Sequence, residues 1–276
     1  MNIRKFSNKP NIVLIQGSPR SENNCPNENS KTSAIVQHIY QKYEHLADFD
    51  IIDLSLQKNK NIIKPCKACI STAGGFHCSF PCSCYSKDTE DLMYDLDVYP
   101  KLQKCDAFLV FTPIHWYSVT SQLKAMFDRL VCINLTMTTD GAKEFYDDNM
   151  KNREYTAYAE QSGKYDNLLK NHLEGKICGF FAHGDNGGTD YREMEKPESL
   201  KETIMEEKEF SKNPESFLLP FVYQMRYSGV KVPNELVKAV YINTKVDYAT
   251  ANDIFPYDYI AHHEAEILFE NLMNML

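Results

Sequence analysis

The residues best suited to chemistry in this chain stand in three polar loops, each at the end of a short apolar run. Gly17-Ser18-Pro19-Arg20 follows the first run, and Ser30-Lys31-Thr32 opens the amphipathic segment after it. Hydroxyls, a guanidinium and an ammonium beside a helix N-terminus suit an anion, because the N–H groups and the dipole there favour negative charge. The stretch lacks the Gly-Lys-Ser/Thr of a P-loop and the Gly-x-Gly-x-x-Gly of a dinucleotide fingerprint. It reads equally as a βα loop with a capping serine. The second loop, Thr112-Pro113-Ile114-His115-Trp116-Tyr117, carries the single tryptophan of the chain. Its aromatic side chains could wall a planar ring, or Trp116 could cap the core. In the third loop, His183-Gly184-Asp185-Asn186-Gly187-Gly188, the glycines let the backbone approach a ligand closely, and the same composition suits a long turn. Together the three loops suit one phosphorylated aromatic ligand.

A second chemical feature is the cysteine content, nine in all. Cys66, Cys69, Cys78, Cys82 and Cys84 fall in one segment. Four thiolates can hold zinc tetrahedrally, with Cys66-x-x-Cys69 and Cys78-x-x-x-Cys82 as the two halves and Cys84 as an alternative ligand. A Cys-x-x-Cys pair can also cycle between dithiol and disulfide, and free thiols pack as small hydrophobes. Cys25, Cys105, Cys132 and Cys178 are scattered, and the last three suit core positions.

Positioning these loops falls to strands and helices in alternation. Ile12–Ile15, Phe49–Leu54, Ala107–Phe111 and Ile177–Ala182 are nearly continuous apolar runs, as strands covered on both faces must be. Val230-Lys231-Val232, followed by Pro233, predicts a short fifth strand at a sheet edge. Between the runs, Val36, Ile39, Tyr40 and Tyr43 follow helical spacing with Ser30 as N-cap. Val119, Leu123, Met126, Phe127, Leu130 and Val131 form a second stripe, and Ala265, Leu268, Phe269, Leu272 and Leu276 a closing helix. This alternation predicts an open, doubly wound α/β fold with a five-stranded parallel sheet and helices on both faces. Ligands of such sheets bind beyond the carboxyl ends of the strands, where the three loops would converge. Polar stretches near 140–175 and 190–214 lack the apolar content for their own cores. Residues 1–276 are therefore expected to form a single domain with two insertions.

Composition removes other classes. With 30 Lys+Arg against 38 Asp+Glu the chain carries a formal charge of −8, and no basic stripe stands out that would neutralise nucleic-acid phosphates. No apolar run approaches the roughly 20 residues that span a bilayer. The block Ile12–Ile15 is too short for a signal-peptide core, so a cytoplasmic protein is expected. The histidines offer no complete ligand set: His262-His263-Glu264 lacks the i, i+4 pair of a zincin.

Gly-Ser-Pro-Arg after the first strand, Ser-Lys-Thr at the helix start, and Thr112 through Arg129 (TPIHWYSVTSQLKAMFDR) resemble the NADPH-dependent FMN reductase family. The resemblance covers Asn11 to Cys132 and then His183 to Gly188, and it implies a flavodoxin-like fold. It further implies that Ser18, Pro19, Arg20, Ser30, Lys31 and Thr32 hold the FMN phosphate. Thr112, Pro113, Ile114, His115, Trp116 and Tyr117 would line the ring and ribityl chain, and His183, Gly184, Asp185, Gly187 and Gly188 the far edge of the ring. The loop from Ser21 to Ser30 is longer than in compact members of the family. Iron–sulfur flavoproteins of the same superfamily carry a cysteine cluster after the second strand, but the eight residues between Cys69 and Cys78 depart from their spacing. The activity implied is hydride transfer from NADPH or NADH to FMN and on to a small-molecule acceptor: a quinone, a nitro or azo compound, or free flavin. The resemblance also implies a homodimer or homotetramer. Competing readings are a flavodoxin-type electron carrier and an iron–sulfur flavoprotein serving a protein partner. No general acid or base is assigned, since the cofactor supplies the hydride chemistry.

Overall fold

The four apolar runs become strands of one parallel sheet, as side chains apolar on both faces require. The computed structural model describes residues 9–24, 29–55, 62–68, 82, 85, 90–116, 118–134, 136–137, 169–170, 172–185, 216–242 and 255–276. The strands are β1 (Asn11–Gln16), β2 (Asp48–Asp53), β3 (Ala107–Pro113), β4 (Thr136–Met137), β5 (Leu169–Lys170), β6 (Ile177–Asp185) and β7 (Val237–Ile242). The helices are α1 (Lys31–Tyr43), α2 (Leu92–Asp95), α3 (Val98–Lys104), α4 (Ser121–Arg129), α5 (Val131–Asn134), α6 (Leu219–Tyr227) and α7 (Phe255–Met275). Five strands pair in the order β2-β1-β3-β6-β7, all parallel, while β4 and β5 form a separate antiparallel pair. This is the flavodoxin-like order, and its reversal falls between β1 and β3, where an open α/β sheet leaves its ligand crevice.

Alternate side chains of each central strand enter two different cores. Val13, Ile15, Phe108, Val110 and Phe180 pack with Leu92, Met93, Leu102, Leu123, Met126, Phe127 and Phe221 from α2, α3, α4 and α6. Ile12, Leu14, Leu109, Phe111 and Phe181 pack with Ile35, Ile39, Leu268, Phe269 and Leu272 from α1 and α7. Each fully buried side chain of this size contributes roughly 1.5–3 kcal/mol of hydrophobic stabilisation. Ser30 caps α1 by accepting from the Ser33 N–H, as its position before the apolar stripe predicts. Cys105, Cys132 and Cys178 are buried and free, and burial pushes the Cys105 thiol up to about 12.

One expectation is corrected, and two short helices are added. Val230-Lys231-Val232 is not the fifth strand: it makes only an isolated bridge between Lys231 and Ile177. Pro233 has no N–H to extend a ladder, and after a short turn at Asn234–Leu236 the alternating Val237–Ile242 takes the edge instead. The apolar character of 230–232 is spent on burial, for Val230 and Val232 are 3% and 4% exposed. Helices α2 and α3 have no counterpart in the sequence reading, because four and seven residues are too short to establish a period. The insertion near 190–214, and that near 140–175 apart from its last few residues, lie outside the described residues. Among the described residues no helix is long and apolar enough to cross a membrane.

The α1–α7 contact carries a charged cluster above its apolar layer. Glu266 receives hydrogen bonds from Lys42 Nζ and His38 Nε2, both 2.6 Å, and the His262 ring stacks on His38 at 4.7 Å. Burial raises the Glu266 carboxyl, but the bonds from Lys42 and His38 outweigh it and hold the group below its ordinary 4.5. A carboxyl lowered in the folded state stabilises above its unfolded value, and that stabilisation is lost as pH falls through the folded value. Glu266→Gln is therefore expected to unfold more easily than wild type near neutral pH. The gap should close as pH falls below the ordinary carboxylate range. Urea titrations at both pH values check this, and a gap that persists in acid would refute it.

Candidate active site

The carboxyl ends of β1, β3 and β6 are tied to one another by main-chain hydrogen bonds. Gly17 N–H donates to Phe111 O at 2.7 Å, and Ile114 N–H donates to His183 O at 2.8 Å. The β1 turn closes on glycine because a Cβ at Gly17 would lie 2.8 Å from the Phe111 carbonyl oxygen, with Leu123 equally near. Thr120 caps α4 through the Leu123 N–H and also donates its hydroxyl to Gly17 O at 2.5 Å. At the third strand, a Cβ on Gly184 would stand 3.1 Å from that of Ile114. The loops expected to converge therefore do so in close contact.

Polar side chains are concentrated where these loops meet. Gln16, Ser18, Ser21, Ser30, Thr32, Thr112, Thr120 and His183 are all buried here. The β1–α1 loop is organised by its own side chains. Ser18 N–H bonds the Gln16 side-chain oxygen, Gln16 Nε2 donates to Asp53 at 3.1 Å, and Asp53 accepts both the N–H and hydroxyl of Ser55. Arg20 N–H donates to Ser18 Oγ at 3.3 Å, and Asn24 Nδ2 donates to the Pro19 carbonyl at 2.8 Å. Ser18 and Ser30 oxygens thus accept bonds from the main chain of the same loop and helix start. Arg20 is exposed and Lys31 half-buried beside them. Hydroxyls, a cation and the N-terminus of a thirteen-residue helix make a cradle suited to a phosphate.

Beside the cradle stands an aromatic turn. His115 and Ser118 exchange main-chain bonds of 2.8 and 3.0 Å, closing a two-residue turn that puts Trp116 at φ +47° with its side chain 84% exposed. A left-handed non-glycine residue costs about 1–2 kcal/mol, which an ordinary loop would avoid. Trp116 is not a core cap, the alternative its solitary occurrence allowed. Thr112 is buried with its hydroxyl on the Pro113 carbonyl, and Ile114 and Pro113 are half-buried. His183, Gly184 and Asp185 belong to β6 rather than to a loop after it.

Thr32, expected at the phosphate, and His183, expected at the far edge of the ring, are brought together. The two meet each other, Thr32 Oγ1 to His183 Nε2 at 2.8 Å, both buried. Gln16, Asp53 and Thr120 were missed by sequence reasoning. A glutamine closing an apolar run just before glycine was the one signal for Gln16. Of the cysteine segment, Cys66 is half-buried and Cys82 packs into the larger core, both as free thiols. Cys69, Cys78, Cys84, Tyr117, Gly187 and Gly188 lie outside the described residues. Among the described residues no three His, Cys, Asp or Glu groups stand together as a metal site.

Residues 10–150, which hold the cradle and the aromatic turn, match the profile of NADPH-dependent FMN reductases. The chain belongs to that family. This FMN reductase family member is accordingly a flavin-dependent oxidoreductase, with FMN as cofactor and reduced nicotinamide as hydride source. Among solved structures, RosB with bound 8-demethyl-8-formylriboflavin-5'-phosphate is 11% identical at a TM-score of 0.51, covering 97% of this chain and 80% of its own. A candidate quinone reductase from Klebsiella pneumoniae is 13% identical at a TM-score of 0.50, covering 94% of this chain and 84% of its own. At these identities the likeness is one of fold. No curated protein sequence matches the chain.

Proposed function

We propose that this FMN reductase family member passes hydride from NADPH or NADH, by way of FMN held at the β1, β3 and β6 carboxyl ends, to a small planar acceptor. Quinones, nitro and azo compounds and free flavin are the acceptor classes. The observation that carries the reading is the joining of the buried polar cradle to the exposed, strained Trp116 turn through the bonds among the three strand ends. In this reading Ser18, Ser30, Arg20 and the first turn of α1 hold the phosphate. Pro113, Ile114, His115 and Trp116 border the ring, and Gly184 gives it room on the β6 side. When bound, FMN would supply the hydride-accepting and hydride-donating chemistry. The chain's own part is to bind, orient and enclose. His115 and Trp116 supply an exposed face on which a second aromatic molecule can stack, and no side chain is required to move a proton.

Anaerobic spectroscopy tests the proposal. The purified chain given FMN is expected to show a bound-flavin spectrum, to bleach on addition of NADPH or NADH, and to recover its colour when a naphthoquinone is added. Failure to retain FMN would overturn the reading. Retained FMN that stays oxidised under both nicotinamides would instead favour an electron carrier.

A further inference from the structure

We infer that His183 is a positioning residue, which through Thr32 holds the first turn of α1 in the geometry that receives the cofactor phosphate. The inference rests on the proposed placement of the FMN phosphate at the N-terminus of α1.

His183 touches each of the other two sides of the site. Its side chain meets Thr32, the second residue of α1, across 151 positions of sequence, while its main-chain carbonyl accepts from Ile114 N–H in the loop after β3. Thr32 is fully buried and His183 only 5% exposed, so no solvent competes for the bond between them. Removing either partner deletes this buried bond, and removing His183 leaves the Thr32 hydroxyl to regain one by a shift of the helix start. The segment that would move carries Ser30, the residue whose oxygen caps the helix at Ser33 N–H. Anion binding at a helix N-terminus depends on where those N–H groups point, so a small displacement there weakens phosphate binding while leaving contacts to the flavin ring intact. Direct contact of His183 with the ring would have the opposite signature.

Riboflavin, which has the ring and lacks the phosphate, separates the two. In titrations of the full-length chain followed by flavin fluorescence, His183→Leu and Thr32→Val are each expected to lower FMN affinity about tenfold and leave riboflavin affinity unchanged. The double variant should be no weaker than either single one, since the two act as a unit. His183→Gln, whose side-chain amide can donate or accept at similar reach, should bind FMN nearly as wild type. Thr32→Val removes only a hydroxyl and keeps the test available if His183→Leu fails to fold. Unchanged FMN affinity, an equal loss for FMN and riboflavin, or additive effects in the double variant would each overturn the inference. Arg20→Glu serves as the control on the underlying placement. If it too spares the ratio of FMN to riboflavin affinity, the phosphate is not in this cradle and both readings fall. If it collapses the ratio while His183→Leu does not, only the role of His183 is refuted.

Discussion

Asp91→Ala is expected to destabilise the protein by about 3–5 kcal/mol, a large part of the total stability of a typical domain. Asp91 and Arg129 form an ion pair of 2.7 Å in which both side chains are completely buried. Asp91 also caps α2 through the Met93 N–H, and Arg129 donates to the Lys64 carbonyl at 3.0 Å. The Tyr85 ring lies 4.4 Å from the guanidinium carbon. Burial works against the charged guanidinium, and the Asp91 hydrogen bond more than offsets it, so Arg129 stays protonated. Among the described residues its Nε and Nη2 have no hydrogen-bond partner, and Asp91 is the counter-charge paired with the buried cation. Take Asp91 away and the cation is left unpaired in the core.

The cost is that of an unpaired charge, so removing both charges together should restore most of the loss. Asp91→Leu with Arg129→Met is expected to approach wild-type stability, short of about 1 kcal/mol for the lost helix cap. Urea unfolding of the single and double variants measures this directly. If the double variant is as unstable as Asp91→Ala, the pair is needed for shape rather than for charge balance, and the argument is wrong.

The largest expected effect on the cofactor comes from reversing the one exposed charge of the cradle. Arg20→Glu should lower FMN affinity roughly 100-fold at low salt, since a charge-assisted hydrogen bond is worth about 1.5–3 kcal/mol and the new carboxylate adds repulsion. Riboflavin should bind the variant as it binds wild type. Salt screens exposed charges, so the loss should shrink towards molar ionic strength. Arg20 is exposed and its contact to Ser18 is made by the main-chain N–H, which the substitution keeps. Equal weakening of FMN and riboflavin would place the phosphate elsewhere.

The helix start at Ser30, the strand positions of Ile12–Ile15 and Ala107–Phe111, and the burial of Cys105, Cys132 and Cys178 follow from periodicity and composition. The α2–α3 pair did not, because a helix of one turn leaves no period to read and is held by tertiary contacts such as those of Asp91. Val230–Val232 was mistaken for a strand because an apolar triplet is required equally by a buried loop. In the candidate site, the meeting of the three loops was legible, since each stands at the carboxyl end of a strand of one parallel sheet. What each side chain does there was not.

The amino-acid order alone determined the alternation of strand and helix, and so which loops share the carboxyl edge of the sheet. Both are consequences of local spacing acting on a chain that must cover its strands on two faces. The tertiary structure decided the partners: Thr32 with His183, Asp91 with Arg129, Gln16 with Ser18 and Asp53. These pairings join residues whose separations range from 2 to 151 positions. A buried polar group must find a hydrogen bond wherever packing offers one, and packing, unlike periodicity, is a property of the folded chain as a whole.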